Sequence, residues 1–285
     1  MADMTNIPEP TPTRPLWQRV IPHIVLFAAL VVLWELAVAF RLVNSIMVPR
    51  PTAVLAAIWE LYVVKGTIYR HFFITFTEAA VGFAIGAGVA IALAVGSSLW
   101  TPFRRYVSPY AIVLNVTPGI ALTPVIIAWF GFGMGSKIAL AAIISFFPIY
   151  VNTLTGLLQV DHEREELFRS LGASNSQIFA KLRAPAALPL MFAGLKIGLT
   201  TALIGAVVAE FAQATEGVGV LMNRFSFQLN MGASIATLLS MTAIGLILFY
   251  SMEFLDDRTV FWRREARREA ASRARARAWH AGTKN

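Results

Sequence analysis

The stretch EELFRSLGASNSQIFAKLRAPAALP, residues 165–189, is polar and lies between two long apolar runs. Residues 138–160 contain no Asp, Glu, Lys or Arg, and residues 184–209 contain only Lys196. An apolar run of about 20 residues is long enough to cross the hydrocarbon core of a bilayer as a helix. The pattern therefore predicts two membrane-spanning helices joined by a polar segment outside the membrane.

The composition of the whole chain favours lipid as its main solvent. Of its 285 residues, 57% are hydrophobic and 14% are charged, whereas soluble domains carry about 25% charged residues. The absence of cysteine excludes a thiolate metal site and a cysteine nucleophile. The net charge of +8 comes largely from seven arginines in residues 263–277, so membrane topology explains it better than nucleic-acid binding.

Six apolar runs predict an all-α membrane protein with about six transmembrane helices. The predicted spans are residues 20–40, 74–99, 107–130, 137–158, 187–211 and 232–255. Segments on the side of the termini hold 17 Lys and Arg, and segments on the other side hold six. By the positive-inside rule, we expect both termini and the polar segment at 159–186 to be cytoplasmic.

Three regions follow from this topology. They are a disordered cytoplasmic leader at 1–19, a transmembrane domain at 20–260 and a basic cytoplasmic tail at 261–285. The stretch LAVAF (36–40) offers the alternative of a cleaved signal sequence, but the proline-rich leader and the full-length apolar run favour an uncleaved helix. Residues 49–66 predict an amphipathic helix at the outer interface, with a plain loop as the alternative. The tail either binds anionic lipid headgroups or forms a solvated end.

The third span is interrupted by two prolines. Pro118 and Pro124 each remove a backbone donor, and such breaks are tolerated at membrane depth where protein or a water-filled cavity satisfies the freed carbonyls. We expect Asn115, Thr117, Pro118 and Thr123 to line that cavity as part of a substrate pathway. The alternative is a kinked helix without substrate contact.

Five ionisable residues lie in or near the predicted spans, where such groups are candidate functional sites. Glu210 precedes the loop-like FAQATEGVGVL near the outer face, so it is a candidate contact for substrate or an extracytoplasmic partner. Snorkelling or an ion pair is the simpler explanation for this set as a whole. The other members are Glu35, Glu78, Lys196 and Glu253.

The polar segment itself predicts a short helix, a glycine turn and a second helix. Acidic residues from Asp161 onward favour a helix N-terminus, and Leu167, Phe168 and Leu171 form an apolar stripe on the helix at 163–171. Gly172 is placed to end that helix. Such an exposed stripe fits a groove on another protein, with an ordinary loop as the alternative.

After the glycine turn, Ser174 or Asn175 can cap a second helix, SQIFAKL. We expect this helix to end before Pro185, because the residue before a proline is driven out of the helical conformation. Pro189 is then expected to lead the chain into the fifth span.

This segment resembles the EAA motif of the membrane subunits of binding-protein-dependent ABC importers. The matching positions are Glu166, Gly172, Ala184-Pro185, Pro189 and Gly194. The chain departs from the motif at Leu167-Phe168, where alanines are usual, and at Ala184, where leucine is usual. The stretches VPRPTAVLAAI, TPGIALTPVIIAWFGFG, SFFPIYVNTLTGL and AEF…GVGVL resemble the sulfonate, taurine, nitrate and bicarbonate branch, and the resemblance covers about residues 25–262.

The resemblance implies the type I importer permease fold and a subunit of the inner membrane. Its implied partners are two cytoplasmic ATPase subunits, an extracytoplasmic solute-binding protein and a second permease copy, most simply an identical one. The polar segment would be the coupling helix that docks on the ATPase. The implied contacts are Glu163, Glu166, Leu167, Phe168, Leu171, Gly172, Ala173 and Ser174.

The chain carries no nucleotide-binding motif of its own. A P-loop requires a lysine directly after a glycine, and none of the five lysines follows one. We therefore expect no catalytic activity and no cofactor in this chain, with ATP and Mg²⁺ bound by the partner ATPase.

The expected function is the import of a small solute across the inner membrane. The resemblance implies a sulfonate, a nitrate-like oxyanion or a small organic acid, although relatives in this branch also carry pyrimidine- or flavin-like heterocycles. The alternative is a secondary transporter or channel that works without an ATPase. Such proteins show inverted repeats and charge relays, which this sequence lacks.

Overall fold

The computed structural model describes residues 16–213 and 215–260. The basic tail predicted at 261–285 lies outside the described residues. So does the predicted leader, except for residues 16–19, which already belong to the first helix because that helix begins at Leu16. Every regular element in the described part of the chain is helical, as the sequence predicts.

Five helices are long and apolar enough to cross a membrane. They are α1 (Leu16–Ala39), α3 (Thr67–Leu99), α6 (Met134–Leu158), α9 (Ala184–Gln213) and α11 (Met231–Thr259). A sixth span is divided between α4 (Thr101–Val116) and α5 (Gly119–Phe130). The shorter helices are α2 (Pro51–Trp59), α7 (His162–Ser170), α8 (Asn175–Ile178) and α10 (Val218–Phe227). Six spans are thus present when the divided pair is counted as one.

The third span, predicted over 107–130 with interruptions at two prolines, is broken at Pro118 but not at Pro124. Its two halves meet at an angle of 102°. Thr117, the residue before the proline, has extended backbone angles of φ −70° and ψ 121°, as steric conflict with a following proline ring favours. Pro124 lies inside α5 without ending it.

Helices α3, α6 and α9 form the centre of the bundle, with α6 packed between the other two. Glycines allow this close approach. A Cβ added at Gly82 of α3 would lie 2.5 Å from Cβ of Ala141 on α6, and one added at Gly205 of α9 would lie 2.9 Å from Cα of the same alanine. The central helix therefore makes nearly backbone-to-backbone contact on both sides.

The predicted helix at 49–66 is present as α2 and a π-helical turn, Glu60–Val64, that continues it. Val54 and Leu61 are buried on its inner side, and the helix packs against α11. Helix α1 contacts α2, where Glu35 accepts hydrogen bonds from the backbone N–H and the hydroxyl of Thr52 at 3.2 and 3.0 Å.

Candidate functional site

The start and end of helix α7 are determined by residues at its two termini rather than by packing against other helices. Asp161 caps its N-terminus and accepts a hydrogen bond from the N–H of Glu163 at 3.3 Å. The acidic first turn and Arg169 in the last turn both complement the helix dipole. Gly172 follows the helix with φ +80°, a conformation that favours glycine. The predicted helix and its glycine stop are confirmed.

The second helix begins as predicted but does not end where predicted. Ser174 and Gln177 form a reciprocal capping box with hydrogen bonds of 2.8 and 3.3 Å. Helix α8 then continues through a π-helical turn, Phe179–Arg183, directly into α9.

The prediction that this helix ends before Pro185 is therefore wrong. In the π-helical turn the N–H of Ala184 donates to the carbonyl five residues earlier, that of Phe179. Pro185, which has no N–H, lies where the hydrogen-bonding pattern of the π-helical turn changes to that of the α-helix α9. The absence of its N–H is tolerated at this junction. Pro189 lies inside α9, so it does not mark an entry into the span.

The surface of α7 is largely free of contacts with the rest of the described chain; its main packing neighbour is α8. Leu167 and Leu171 are 58% and 77% exposed, although both are large apolar side chains. Phe168 and Ala173 are half-buried. The remaining predicted coupling residues are exposed: Glu163, Glu166, Gly172 and Ser174.

One ion pair in this region was not predicted. The carboxylate of Glu165 accepts a hydrogen bond from Nε of Arg183, and Arg169 lies 3.9 Å from its second oxygen. The hydrogen bond from Arg183 lowers the pKa of the Glu165 carboxyl below its ordinary value, and burial opposes the change. Glu165 and Arg183 are 18 residues apart, and this separation gives no indication in the sequence that they form a pair.

A cavity of about 490 Å³ lies where the broken span meets α6 and α9. Three of the predicted pathway residues line it, namely Asn115, Thr117 and Pro118. Asn152 of α6 and Thr201 of α9 also line it and were missed, because polar residues inside long apolar helices carry no signal for the face on which they lie. The lining contains no charged side chain.

Two other predicted pathway residues lie elsewhere. Thr123 is buried and its hydroxyl donates to the carbonyl of Gly119 in its own helix at 3.4 Å. Glu210 is buried near the end of α9 and does not line the cavity. Its carboxylate accepts hydrogen bonds from the hydroxyl of Thr75 at 2.5 Å and from the N–H of Gly219 at 2.6 Å. Its position thus ties the loop after α9 to α3.

A buried ion pair lies at the same end of the bundle. Nζ of Lys137 is 2.7 Å from Oε1 of Glu78 and also donates to the carbonyl of Glu216 at 2.8 Å. The sequence places Lys137 in an outer segment, whereas the structure buries it. The ion-pair explanation for Glu78 is confirmed. Lys196 also forms an ion pair, with Asp256 at 2.7 Å.

No cluster of three or more histidine or carboxylate side chains that could hold a metal ion occurs in residues 16–213 and 215–260. The chemistry available here is therefore of three kinds. It comprises an exposed apolar and acidic helix face, an uncharged cavity with a mostly apolar lining and a few polar side chains, and buried ion pairs between helices.

Comparison with known proteins agrees with this arrangement. Residues 82–261 match the family described as "Binding-protein-dependent transport system inner membrane component". The formylaminopyrimidine transport permease protein ThiX of Halalkalibacterium halodurans is 30% identical over 84% of this chain and 94% of its own. The taurine transport system permease protein TauC of Escherichia coli is 28% identical over 88% and 93%.

Solved structures share the fold. The chain aligns with the inward-facing MetNI methionine ABC transporter at a TM-score of 0.53 and 23% identity, covering 70% of this chain and 94% of that one. An amino acid ABC transporter aligns at 0.54 and 18% identity, covering 70% and 96%. The fold is thus that of ABC importer permeases, and the chain belongs to the family of binding-protein-dependent transport system inner membrane components.

Proposed function

We propose that two copies of this chain form the membrane pathway of an importer, and that ATPase subunits drive it through α7. Membership of the family supports the permease role. The observation that carries the coupling role is the exposed apolar face of α7, with Leu167 and Leu171 open to solvent beside Glu166. In a cytoplasmic helix, such a face is expected to insert into a groove on a partner.

The connection from α7 to the cavity supports the same role. The chain passes from α7 through the Gly172 turn into α8, and continues as one helical rod into α9. Ile197 and Thr201 of that rod line the cavity. A displacement of α7 by the ATPases would therefore reach the cavity wall without crossing a flexible loop after Ser174.

ATP binding supplies the drive through its different affinity for the two states of the transporter. In our proposal, closure of the ATPases moves both copies of α7 and opens the pathway outward to receive solute. Because the copies are identical, the pathway lies on a two-fold axis. We place α7 and both termini in the cytoplasm.

For the solute we propose a small oxyanion or organic acid, such as a sulfonate. Amide and hydroxyl groups such as Asn115 and Thr201 can contact such an anion, and the uncharged lining holds no fixed lysine or arginine that would retain it. A pyrimidine-like heterocycle is the second candidate, because the ThiX relative is named for formylaminopyrimidine transport.

The docking role can be tested by co-purification of the ATPase with Leu171→Asp. A charge on the docking face should reduce recovery of the ATPase at least tenfold. Leu42→Asp is the matched control, since Leu42 has the same 77% exposure but lies in the connection between α1 and α2. Full recovery with Leu171→Asp would contradict the proposal.

The transport role is tested with the complete complex in proteoliposomes that contain the solute-binding protein. We expect uptake to require ATP. Uptake driven by a proton gradient in the absence of the ATPase would favour a secondary transporter instead.

A further inference from the structure

Two neighbouring glutamates on α7 have different environments. Glu166 is exposed, and its nearest ion-pair partner in the described part of the chain is the exposed His162 on the same helix, at 3.7 Å. The side chain of Glu165 is only 13% exposed and is paired with Arg183, whose side chain is 24% exposed. Glu166 is thus available to a partner protein, whereas Glu165 is already paired within its own chain.

The Glu165–Arg183 pair closes a loop in the coupling segment. The covalent path between the two residues passes through the glycine turn at Gly172, whose closing hydrogen bonds, from the N–H groups of Gly172 and Ala173, return to carbonyls of α7 and not to α8. A helix attached only through such a turn can pivot about it. The ion pair joins α7 a second time, to the π-helical turn at the base of α9, and so removes that freedom.

We propose that Glu165 and Arg183 form a strut that makes α7 and the base of α9 move as one body during transport. Both are positioning residues, because neither lies at the cavity. The inference rests on the proposed function of α7 as the ATPase docking helix. It adds the specific contact through which force reaches the pathway.

Short-range geometry favours this role over a general stabilising one. The donor is Nε of the guanidinium, which is two bonds nearer the backbone of the π-helical turn than the terminal nitrogens, and the partial burial of both side chains restricts their rotamers. Arg169, one turn further along α7, also approaches the same carboxylate. Glu165 is therefore held from both sides, by its own helix and by the base of α9.

The test measures the solute imported per ATP hydrolysed by the complete complex in proteoliposomes. Glu165→Gln and Arg183→Gln should retain bound ATPase and ATP hydrolysis but import several-fold less solute per ATP. Arg164→Gln is the matched control on the same helix, because the Arg164 side chain is exposed and forms no ion pair within the described residues. It should leave the ratio unchanged.

The exchange of charges distinguishes a strut from a folding defect. In an Arg169→Gln background, which removes the like charge that would face position 165, Glu165→Arg combined with Arg183→Glu should restore at least half of the lost ratio, because the pair forms again with reversed polarity. Failure to restore it, or an unchanged ratio in both single variants, would overturn the proposal.

A second measurement does not depend on transport. The chain has no cysteine, so Ser170→Cys and Ala186→Cys allow one spin label on α7 and one at the start of α9. We expect Glu165→Gln to broaden the distance distribution between these labels, whereas an unchanged width would also overturn the proposal. If the unmodified chain fails to bind an ATPase, the proposed function fails; if it binds but the strut variants behave normally, only the strut is wrong.

Discussion

The buried pair between Lys137 and Glu78 allows a quantitative test of the packing at the end of the bundle opposite α7. Lys137→Met removes the ammonium that lies 2.7 Å from the carboxylate and leaves that carboxylate without its ion-pair partner. The carbonyl of Glu216 loses its hydrogen bond at the same time. Removal of one member of a buried pair costs about 3–5 kcal/mol, because an uncompensated charge remains buried.

An exposed pair of the same residue types provides the control. Nζ of Lys65 is 2.6 Å from Oε1 of Glu60, and the two side chains are 57% and 53% exposed. Exposed pairs contribute about 0–1 kcal/mol, since water screens the charges in either state. Lys65→Met should therefore cost at most about 1 kcal/mol although the two distances are nearly equal.

The double variant Glu78→Met/Lys137→Met separates charge burial from lost contacts. Replacement of both members of a buried pair by apolar side chains is often neutral, so we expect it to recover most of the stability lost in Lys137→Met. The free energy of unfolding can be measured by titration with sodium dodecyl sulfate in mixed micelles, followed by tryptophan fluorescence. A loss in Lys137→Met no larger than in Lys65→Met, or a double variant as unstable as the sum of the single ones, would refute the reasoning.

Three further predictions concern the helix contacts and the coupling segment. Gly82→Ala should lower the free energy of unfolding by about 1–3 kcal/mol, because the added Cβ meets the Ala141 side chain. Gly88→Ala on the same helix is the control: its Cβ meets nothing, so it should be neutral or slightly stabilising. The detergent titration described above measures both variants. Gly172→Ala should cost about 1–2 kcal/mol through its positive φ alone and reduce recovery of the ATPase, and full recovery would contradict this. Because Arg183 lowers the pKa of Glu165, the stabilisation is complete above the ordinary pKa of about 4.3 and is lost as the pH falls through the lowered value. The difference in melting temperature between the unmodified chain and Glu165→Gln should therefore be constant from about pH 8 to 5 and shrink only in stronger acid, and a difference that vanishes near neutrality would contradict the ion pair.

The prolines illustrate how far local sequence determines helix geometry. From the sequence, Pro118 and Pro124 are both expected to interrupt the third span, and Pro185 is expected to end a helix. In the structure only Pro118 accompanies a sharp break, while Pro124 and Pro189 lie inside helices. A proline removes one hydrogen bond wherever it occurs, but neighbouring helices and a π-helical turn determine whether the chain bends there.

The pathway residues show a similar division. Asn115, Thr117 and Pro118 were predicted because they are polar or helix-breaking residues at membrane depth, and they line the cavity together. Asn152 and Thr201 were missed. In a helix that is apolar all round, the sequence does not reveal which side faces a cavity and which faces lipid, because both sides are equally hydrophobic.

The sequence by itself determined the all-helical fold, the positions of the spans, and the capped helix with its glycine stop. These features depend on hydrophobic run length and on backbone requirements within a few residues. Only the tertiary structure decided which charges meet, as in the pairs Glu78–Lys137, Glu165–Arg183 and Lys196–Asp256. Their partners are 18 to 60 residues apart, so the pairing depends on how the helices cross and rotate, which for α3, α6 and α9 is limited by their close glycine contacts.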